Sequence, residues 1–333
     1  MLSALNAFGL FSAFRWRNRD SLIILNYHRF SLDIRSDAVS VSDFKAHLKY
    51  VKDNYNVFAL SDAISLVRDK SLPRNALVIT IDDGYSDAYE LAFPILSEFE
   101  LPATLYCVTN FIDGKGWIWT DLLRYMLSRT SKHEFVLDFG NRSFSFQTTG
   151  SRAEILRIAD KVNGKLKKLL DSDRKRKLTE FAEVLEVEIP SIPSSDYSPI
   201  SWGQAREMDN NGLFIESHSV SHPILTRVSP SVLFDELKHS KTTLERELGR
   251  RVSHFCYPNG DYNEVVASAA RDAGYTSAVT SDFGFNAGEI DTFRLMRVGA
   301  APEFGAFIQN VTGFESFKRR LRSKGNIKQN VST

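Results

Sequence analysis

Residues 76–87 read ALVITIDDGYSD, and this stretch decides the fold. Its first six residues are apolar or β-branched on consecutive positions, without the alternation of a strand that has one face in water. Such a run is typical of a strand covered by helices on both faces, as in a parallel sheet. Asp82 and Asp83 follow at once, and then Gly84, which permits a sharp turn. The stretch therefore predicts a buried parallel strand with acidic groups at its carboxyl end.

Six further segments have the same short apolar character, and helical patterns lie between them. Ser229 followed by Pro230 predicts a helix start, and Gly249 predicts the end of that helix. Repeated alternation of this kind predicts an α/β fold, either a barrel or a doubly wound sheet. The six segments are residues 21–28, 103–108, 213–218, 253–258, 276–281 and 293–299.

One long stretch, between Val108 and Leu213, contains no clear core strand. Apolar residues at helical spacing between positions 155 and 169 predict a long amphipathic helix. We interpret the basic run KLKKLLDSDRKRK (165–177) as the solvated face and end of this helix, in preference to a nucleic-acid site. We therefore take residues 113–199 as a largely helical insertion in a domain that covers residues 21–312.

The composition is that of a globular protein with a full core. The chain has 333 residues, of which 43% are hydrophobic and 25% charged, and its net charge is +1. Because no global positive field exists, we expect no nucleic-acid partner. The two cysteines, Cys107 and Cys256, lie in apolar runs and are expected to be buried, reduced thiols.

The N-terminal segment, residues 1–20, allows two interpretations. Its apolar part is shorter than the ~20 residues of a membrane span, and its arginines follow the apolar run, the reverse of a secretory signal. Residues 1–19 form either a helix on a membrane surface or a helix packed on the body of the protein. A cytoplasmic or peripheral membrane location is expected, and residues 313–333 are taken as a basic tail. In the membrane alternative the apolar face consists of Leu2, Leu5, Phe8, Leu10 and Phe11.

Two more polar motifs follow predicted strands. His218 and His222, in HSVSH, can converge on one ion, and with a carboxylate from another strand end they form a two-histidine, one-aspartate site. Such a site suits a catalytic divalent ion with open coordination positions. In FCYPNGD (255–261), the backbone N–H of Asn259 could face a developing oxyanion. All the motifs fall at carboxyl ends of strands, where α/β barrels place their active sites.

The segments ITIDDGYSD (79–87), ESHSVSHPILT (216–226) and FCYPNGDY (255–262), in this order, resemble the motifs of the polysaccharide deacetylases, the NodB-homology domain of carbohydrate esterase family four. The resemblance spans residues 22–299 apart from the insertion. It implies a distorted (β/α)7 TIM-like barrel and removal of N-acetyl groups from an amino-sugar or polysaccharide. It also implies Asp82 as general base and a divalent ion, zinc before cobalt, nickel or manganese. The implied ligands of this ion are Asp83, His218 and His222.

The chain departs from the family pattern at two places. Cys256 stands where the family has an arginine, and the last strand lacks the Leu-x-His motif that supplies the general acid. The subgroup acting on poly-N-acetylglucosamine, which takes this histidine from the first strand, resembles the chain better. The resemblance therefore implies His28 as general acid, on the side of the metal opposite Asp82, and Arg297 as the arginine beside Asp82. No motif surrounds the remaining histidines, which we interpret as surface or packing residues: His47, His133, His239 and His254.

The expected activity is that of a metal-dependent carbohydrate de-N-acetylase, with Tyr257 stacking on a sugar ring or on the acetyl group. Two alternatives remain open. One is a deformylase or deacetylase of a lipid-linked aminosugar, or another amide hydrolase on the same site. The other is an inactive carbohydrate-binding barrel, although a mere binder gains nothing from a base beside a metal. The substrate partner is a polymeric or lipid-linked carbohydrate.

Overall fold

A ring of parallel strands forms the centre of the protein in the computed structural model, which describes residues 9–34, 37–140, 142–193 and 195–329. In chain order the strands are β1 (Ile23–Tyr27), β2 (Phe30–Ser31), β3 (Val39–Ser40), β4 (Asn56–Val57), β5 (Ala76–Ile81), β6 (Ala103–Cys107), β7 (Glu134–Asp138), β8 (Ser143–Gln147), β9 (Leu213–Ser217), β10 (His254–Cys256), β11 (Ser277–Phe283) and β12 (Leu295–Gly299). Seven of the described strands close a barrel in the order β1-β12-β11-β10-β9-β6-β5, and the pairing of β5 with β1 completes the ring.

The closed ring confirms the predicted (β/α)7 barrel over the doubly wound alternative. Six of the seven segments predicted from apolar runs contain one strand of the ring, and the seventh, 276–281, overlaps β11, which continues to Phe283. The first and last strands, β1 and β12, are parallel neighbours. Because all seven run in one direction, their carboxyl ends meet at a single rim, and the polar motifs follow these ends.

Helices surround the barrel. In chain order they are α1 (Leu10–Arg17), α2 (Val41–Asn54), α3 (Leu60–Arg68), α4 (Phe93–Phe99), α5 (Thr109–Ile112), α6 (Trp119–Arg129), α7 (Arg152–Leu166), α8 (Asp171–Leu185), α9 (Trp202–Asn210), α10 (Pro230–Leu248), α11 (Glu264–Asp272), α12 (Phe304–Thr312) and α13 (Phe314–Gln329). The boundaries predicted for α10 are confirmed. The Ser229 hydroxyl accepts from the Val232 N–H, Pro230 opens the helix, and Gly249 ends it with a φ of 68°.

The stretch between β6 and α9 has a core of its own. In it, α6, α7 and α8 pack with an antiparallel hairpin, β7–β8, that the sequence did not predict. The predicted amphipathic helix is confirmed as α7, which buries Ile158, Val162 and Leu166, but it ends at Leu166, and most of the basic run belongs to a second helix, α8, that begins at Asp171. The prediction that the basic run 165–177 is solvated is wrong in part. Arg174 and Lys177 are buried, Arg174 lying over the Trp119 ring at 4.9 Å.

The N-terminal helix α1 packs on the body of the protein. Phe11 is buried, and its ring meets that of Phe314 edge to face at 5.8 Å. Phe11 is therefore not available to a lipid surface, as the membrane alternative expected. Leu2, Leu5 and Phe8 lie outside the described residues, and contact with a membrane stays a prediction. No described helix has the length and apolar character needed to cross a bilayer.

Candidate active site

The polar motifs converge on a cavity of about 720 Å³ at the carboxyl rim of the barrel. Asp82 and Asp83 follow β5, His218 follows β9, and His28 follows β1. The insertion forms another wall through residues such as Asp121 and Arg124 of α6. Of the residues predicted for the site, the cavity is bordered by His28, Asp82, Asp83, His218, His222, Tyr257 and Asn259. Arg297 lies behind this wall and reaches the cavity only through its contact with Asp82.

Asp83, His218 and His222 form a compact set of metal-ligating groups. Asp83 Oδ1 is 3.5 Å from His218 Nε2 and 3.6 Å from His222 Nε2. Two ligand atoms on a tetrahedral zinc ion, each about 2.0–2.2 Å from the metal, lie about 3.4 Å apart. All three side chains are buried and their ligand atoms lie within 4.8 Å of one another. The observed spacing therefore fits a small divalent ion.

Hydrogen bonding orients His218 for such an ion. Its Nδ1 donates to the Cys256 carbonyl oxygen at 2.8 Å, which leaves Nε2 facing Asp83. Nδ1 of His222 is buried without a hydrogen-bond partner. Burial and the charge of His218 lower the pKa of His222 to about 3, which keeps this ring neutral. A neutral ring is the form that binds a metal.

The local backbone explains why the sequence reads Asp-Asp-Gly here. Asp83 has a φ of 80° and Gly84 a φ of 92°. A Cβ at Gly84 would approach Cys107 Sγ to 3.3 Å, which leaves little room for a side chain. This left-handed pair bends the chain sharply after β5, so Asp82 and Asp83 point in different directions. Each carboxylate consequently has its own set of partners.

Asp82 is buried and paired with Arg297 from β12. Nη1 and Nη2 of Arg297 each donate to one oxygen of Asp82 at 2.7 Å, and Nε donates to the Thr280 carbonyl at the same distance. Burial raises the pKa of Asp82, but the Arg297 charge and its hydrogen bonds outweigh burial and hold that pKa below its usual value. The Cys256 thiol lies 3.6 Å from Asp82 Oδ2, on the side where the family arginine was expected.

His28 borders the cavity, but its predicted placement opposite Asp82 is wrong. Its Nε2 is 3.6 Å from Asp82 Oδ2, and its side chain is 53% exposed. The reason is the register of the barrel, in which β1 lies directly beside β5, with Tyr27 opposite Ile81. The residues that follow these two partners, His28 and Asp82, consequently lie side by side at the rim.

Tyr257 and Asn259 follow β10. Tyr257 is fully buried, its ring stacks on Tyr262 at 5.3 Å, and its hydroxyl donates to the Phe293 carbonyl. Stacking of a sugar on this ring would therefore require the ring to move. Asn259 has a left-handed φ of 58°, and its buried Nδ2 has no partner. Gly260 is required beside it, because a Cβ there would lie 2.4 Å from Ser281 Cβ.

Sequence reasoning missed a polar cluster that joins the insertion to the rim. The Tyr85 hydroxyl donates to Asp121 of α6, which also accepts from Arg124 at 2.9 Å. Arg29 lies 4.0 Å over the Tyr85 ring and donates to Asp87 at 2.6 Å. Tyr85 and Arg29 adjoin the motifs and could have been noticed, but Asp121 lies in a stretch without any pattern.

Comparison with known proteins places the chain in a family. The family model described as polysaccharide deacetylase matches residues 69–278. YxkH of Bacillus subtilis, whose name assigns it to the polysaccharide deacetylases, is 25% identical over 297 residues, 87% of this chain and 77% of its own length. The poly-β-1,6-N-acetyl-D-glucosamine N-deacetylase of Staphylococcus epidermidis is 27% identical over 115 residues, 30% of this chain and 40% of that enzyme.

Solved structures share the fold. The Streptococcus pyogenes deacetylase PplD, solved with acetate, has a TM-score of 0.59 at 19% identity, with 88% of this chain and 99% of PplD covered. IcaB from Ammonifex degensii has a TM-score of 0.55 at 18% identity, with 87% of this chain and 97% of IcaB covered. The shared fold agrees with the family match, which covers most of the barrel. The chain belongs to the polysaccharide deacetylase family and is a hydrolase of carbon–nitrogen amide bonds.

Proposed function

We propose that the protein removes N-acetyl groups from the N-acetylglucosamine units of a polysaccharide, with a divalent ion held by Asp83, His218 and His222. One observation carries the proposal. A carboxylate and two imidazoles converge at 3.5–3.6 Å beside a second, arginine-paired carboxylate in a single cavity. Zinc suits this set of one oxygen and two nitrogen donors, and cobalt, nickel or manganese are the alternatives.

We assign each step of the proposed reaction to a residue that borders the cavity or contacts one that does. An ion in this site supplies Lewis acidity for the amide carbonyl and for an attacking water. Asp82 accepts the proton of that water as the oxygen attacks the acetyl carbon, while Arg297 holds the carboxylate in one orientation. The Asn259 N–H stabilises the charge that develops on the carbonyl oxygen. His28 donates a proton to the sugar nitrogen as the C–N bond breaks, which gives acetate and a free amine.

The charges of the cavity favour a neutral polymer over a substrate that carries phosphate. Its arginines are already paired, Arg29 with Asp87 and Arg124 with Asp121. Most of the five aspartates that border the same space are paired as well: Asp82 with Arg297, Asp121 with Arg124, and Asp37 with Arg152. A diphosphate linked to a lipid carrier would have to compete with these carboxylates for the arginines of the cavity. The polymeric substrate is therefore our choice between the two carbohydrate classes.

An acetate-release assay tests the proposal. Purified protein loaded with zinc is given oligomers of β-1,6-linked and β-1,4-linked N-acetylglucosamine, and a lipid-linked aminosugar with an N-acetyl or N-formyl group. We expect acetate from at least one oligomer and less than about a tenth of that rate from the lipid-linked compounds. Faster release from a lipid-linked substrate would reverse the choice of substrate class. No release of acetate or formate from any of them, at full zinc occupancy, would reject the proposed activity.

A further inference from the structure

The loop between the two histidines of the candidate metal site has an unfavourable backbone. Ser219 has a φ of 71° and His222 a φ of 57°, so two non-glycine residues in four adopt the left-handed conformation. Such conformations persist only where the surroundings fix them. The loop therefore needs external support if His218 and His222 are to point at one ion.

That support comes from Glu236, a residue of α10 that no motif singles out. Glu236 Oε2 accepts from the N–H groups of Val220 and Ser221 at 2.8 and 2.9 Å. Its Oε1 accepts from the Ser221 hydroxyl at 2.6 Å. The side chain is 7% exposed, so the carboxylate is largely shielded from water and its hydrogen bonds are charge-assisted. One carboxylate thus binds the two central residues of the loop through three donors.

Two other contacts support the loop from elsewhere. The N–H groups of Thr109 and Asn110, at the start of α5, donate to the Ser219 and Val220 carbonyls at 3.2 and 2.9 Å. The Ser219 hydroxyl accepts from the His222 N–H at 3.0 Å. These contacts satisfy the carbonyls and one N–H, and they leave the Val220 and Ser221 N–H groups to Glu236. Without its carboxylate, those half-buried donors would lose their partner in the protein.

We propose that Glu236 is a positioning residue that preorganises the metal site by fixing the loop between His218 and His222. The inference rests on the proposed metal site and assigns Glu236 no contact with substrate. Residues that orient the ligands of a metal commonly contribute about 10–100-fold to its affinity. Loss of Glu236 should therefore weaken metal binding, and saturating metal should restore activity.

The test measures zinc affinity on metal-free protein by competition with a chromophoric chelator. Glu236→Ala should weaken the zinc Kd by about 10–100-fold. Glu236→Gln, which keeps an oxygen for the two N–H groups and an NH2 that can donate to the Ser221 hydroxyl, should lose less than Glu236→Ala. The matched control is Glu245→Ala on the same helix. Glu245 accepts from the Val252 N–H at 3.2 Å, away from the loop. The control should keep the wild-type Kd within about twofold, and both alanine variants should lower the melting temperature of the metal-free protein.

The outcomes separate this inference from the proposed site. If Glu236→Ala binds zinc as tightly as the control, Glu236 has a merely structural role and the inference fails alone. If Glu236→Ala does not fold, Glu236→Gln and Ser221→Ala decide, and wild-type affinity in both would overturn it. His218→Ala and His222→Ala are measured alongside. Undiminished zinc binding in these two would reject the metal site itself, and the role of Glu236 with it.

Discussion

Arg297 binds Asp82 through two parallel hydrogen bonds of 2.7 Å, one from each terminal nitrogen, and both side chains are buried. Strand β12 thereby holds the carboxylate that follows β5, past the single strand β1 that lies between them in the ring. Breaking a buried pair by removal of one partner typically costs about 3–5 kcal/mol, because the other charge is left uncompensated. Arg297 therefore has two functions, to stabilise the barrel and to keep Asp82 ionised and oriented.

Replacement of Arg297 should change the pH dependence of the reaction. The Arg297 charge holds the pKa of Asp82 below its usual value, so its removal raises that pKa. More of the base is then protonated at low pH, and the acidic limb of the kcat/KM profile moves to higher pH. We expect this shift in Arg297→Met, with a loss of stability of about 3–5 kcal/mol in urea unfolding.

Arg297→Lys serves as the control for charge. A lysine keeps a cation near Asp82 but cannot form the bidentate pair, so its acidic limb should lie between those of the wild type and Arg297→Met. An acidic limb that coincides in all three proteins would show that Asp82 is not the group that titrates there.

Asparagine substitutions should separate the two aspartates of the motif. Asp82→Asn should keep about one zinc ion per chain and lose at least about 100-fold in kcat, the usual scale for a general base. Asp83→Asn should lose zinc and activity together, because Asp83 Oδ1 faces both imidazoles. Metal analysis and acetate release on both proteins decide this. If Asp82→Asn lost its zinc and Asp83→Asn kept it, Asp82 would be the metal ligand and Asp83 the general base.

The fold and the motifs could be predicted because their signals are local. A strand covered on both faces needs consecutive apolar residues, and the seven barrel strands overlap the seven segments that were predicted from this signature. Asp82, Asp83, His218 and His222 follow such strands directly, so the convergence of strand ends at one rim brings them together.

The rest depends on contacts between distant residues. Glu236 and Asp121 occupy ordinary helical positions, and only packing places Glu236 against the histidine loop and Asp121 against Tyr85. The hairpin β7–β8 was missed because each strand alternates buried and exposed residues over only five positions. The side of Asp82 on which His28 lies depends on strand register, which a single sequence does not reveal.

Acid should destabilise the fold through buried neutral histidines, with His47 as the sharpest case. His47 is fully buried, stacks on Phe307 at 3.8 Å, and lies 3.3 Å from the Tyr27 hydroxyl. Burial lowers its pKa from 6.5 to about 4. The contribution of the neutral His47 ring to the free energy of unfolding is fully present above pH 6.5. It is lost as the pH falls towards 4, because over this range the ring takes up a proton only in the unfolded state.

The difference of about 2.5 pKa units sets an upper limit of about 3 kcal/mol for this loss. His47→Gln should therefore flatten the decline of the unfolding free energy between pH 6.5 and 4.5, as measured by urea titration. His239→Gln, an exposed histidine of α10, is the control and should leave the slope unchanged. An equal slope in wild type and His47→Gln would contradict the prediction.

The role of His28 is tested by the leaving group. Its Nε2 lies 3.6 Å from Asp82 Oδ2, so two roles compete, general acid for the sugar amine and electrostatic partner of Asp82. A general acid matters most when the leaving group needs a proton. His28→Ala should then keep its zinc and melting temperature, lose about 10²–10⁴-fold in kcat on the amide, and lose far less on an activated aryl acetate.

If His28 is instead the electrostatic partner of Asp82, it acts through the base on the attacking water, which the amide and the aryl ester both require. An equal loss on the amide and on the aryl ester would therefore assign His28 to the base and leave the acid to be found elsewhere on the rim. His28→Gln distinguishes the two roles further, because an amide can hold Asp82 by a hydrogen bond but cannot deliver a proton to the amine. Under acid catalysis it should be as slow on the amide as His28→Ala, whereas under a positioning role it should recover much of the lost rate.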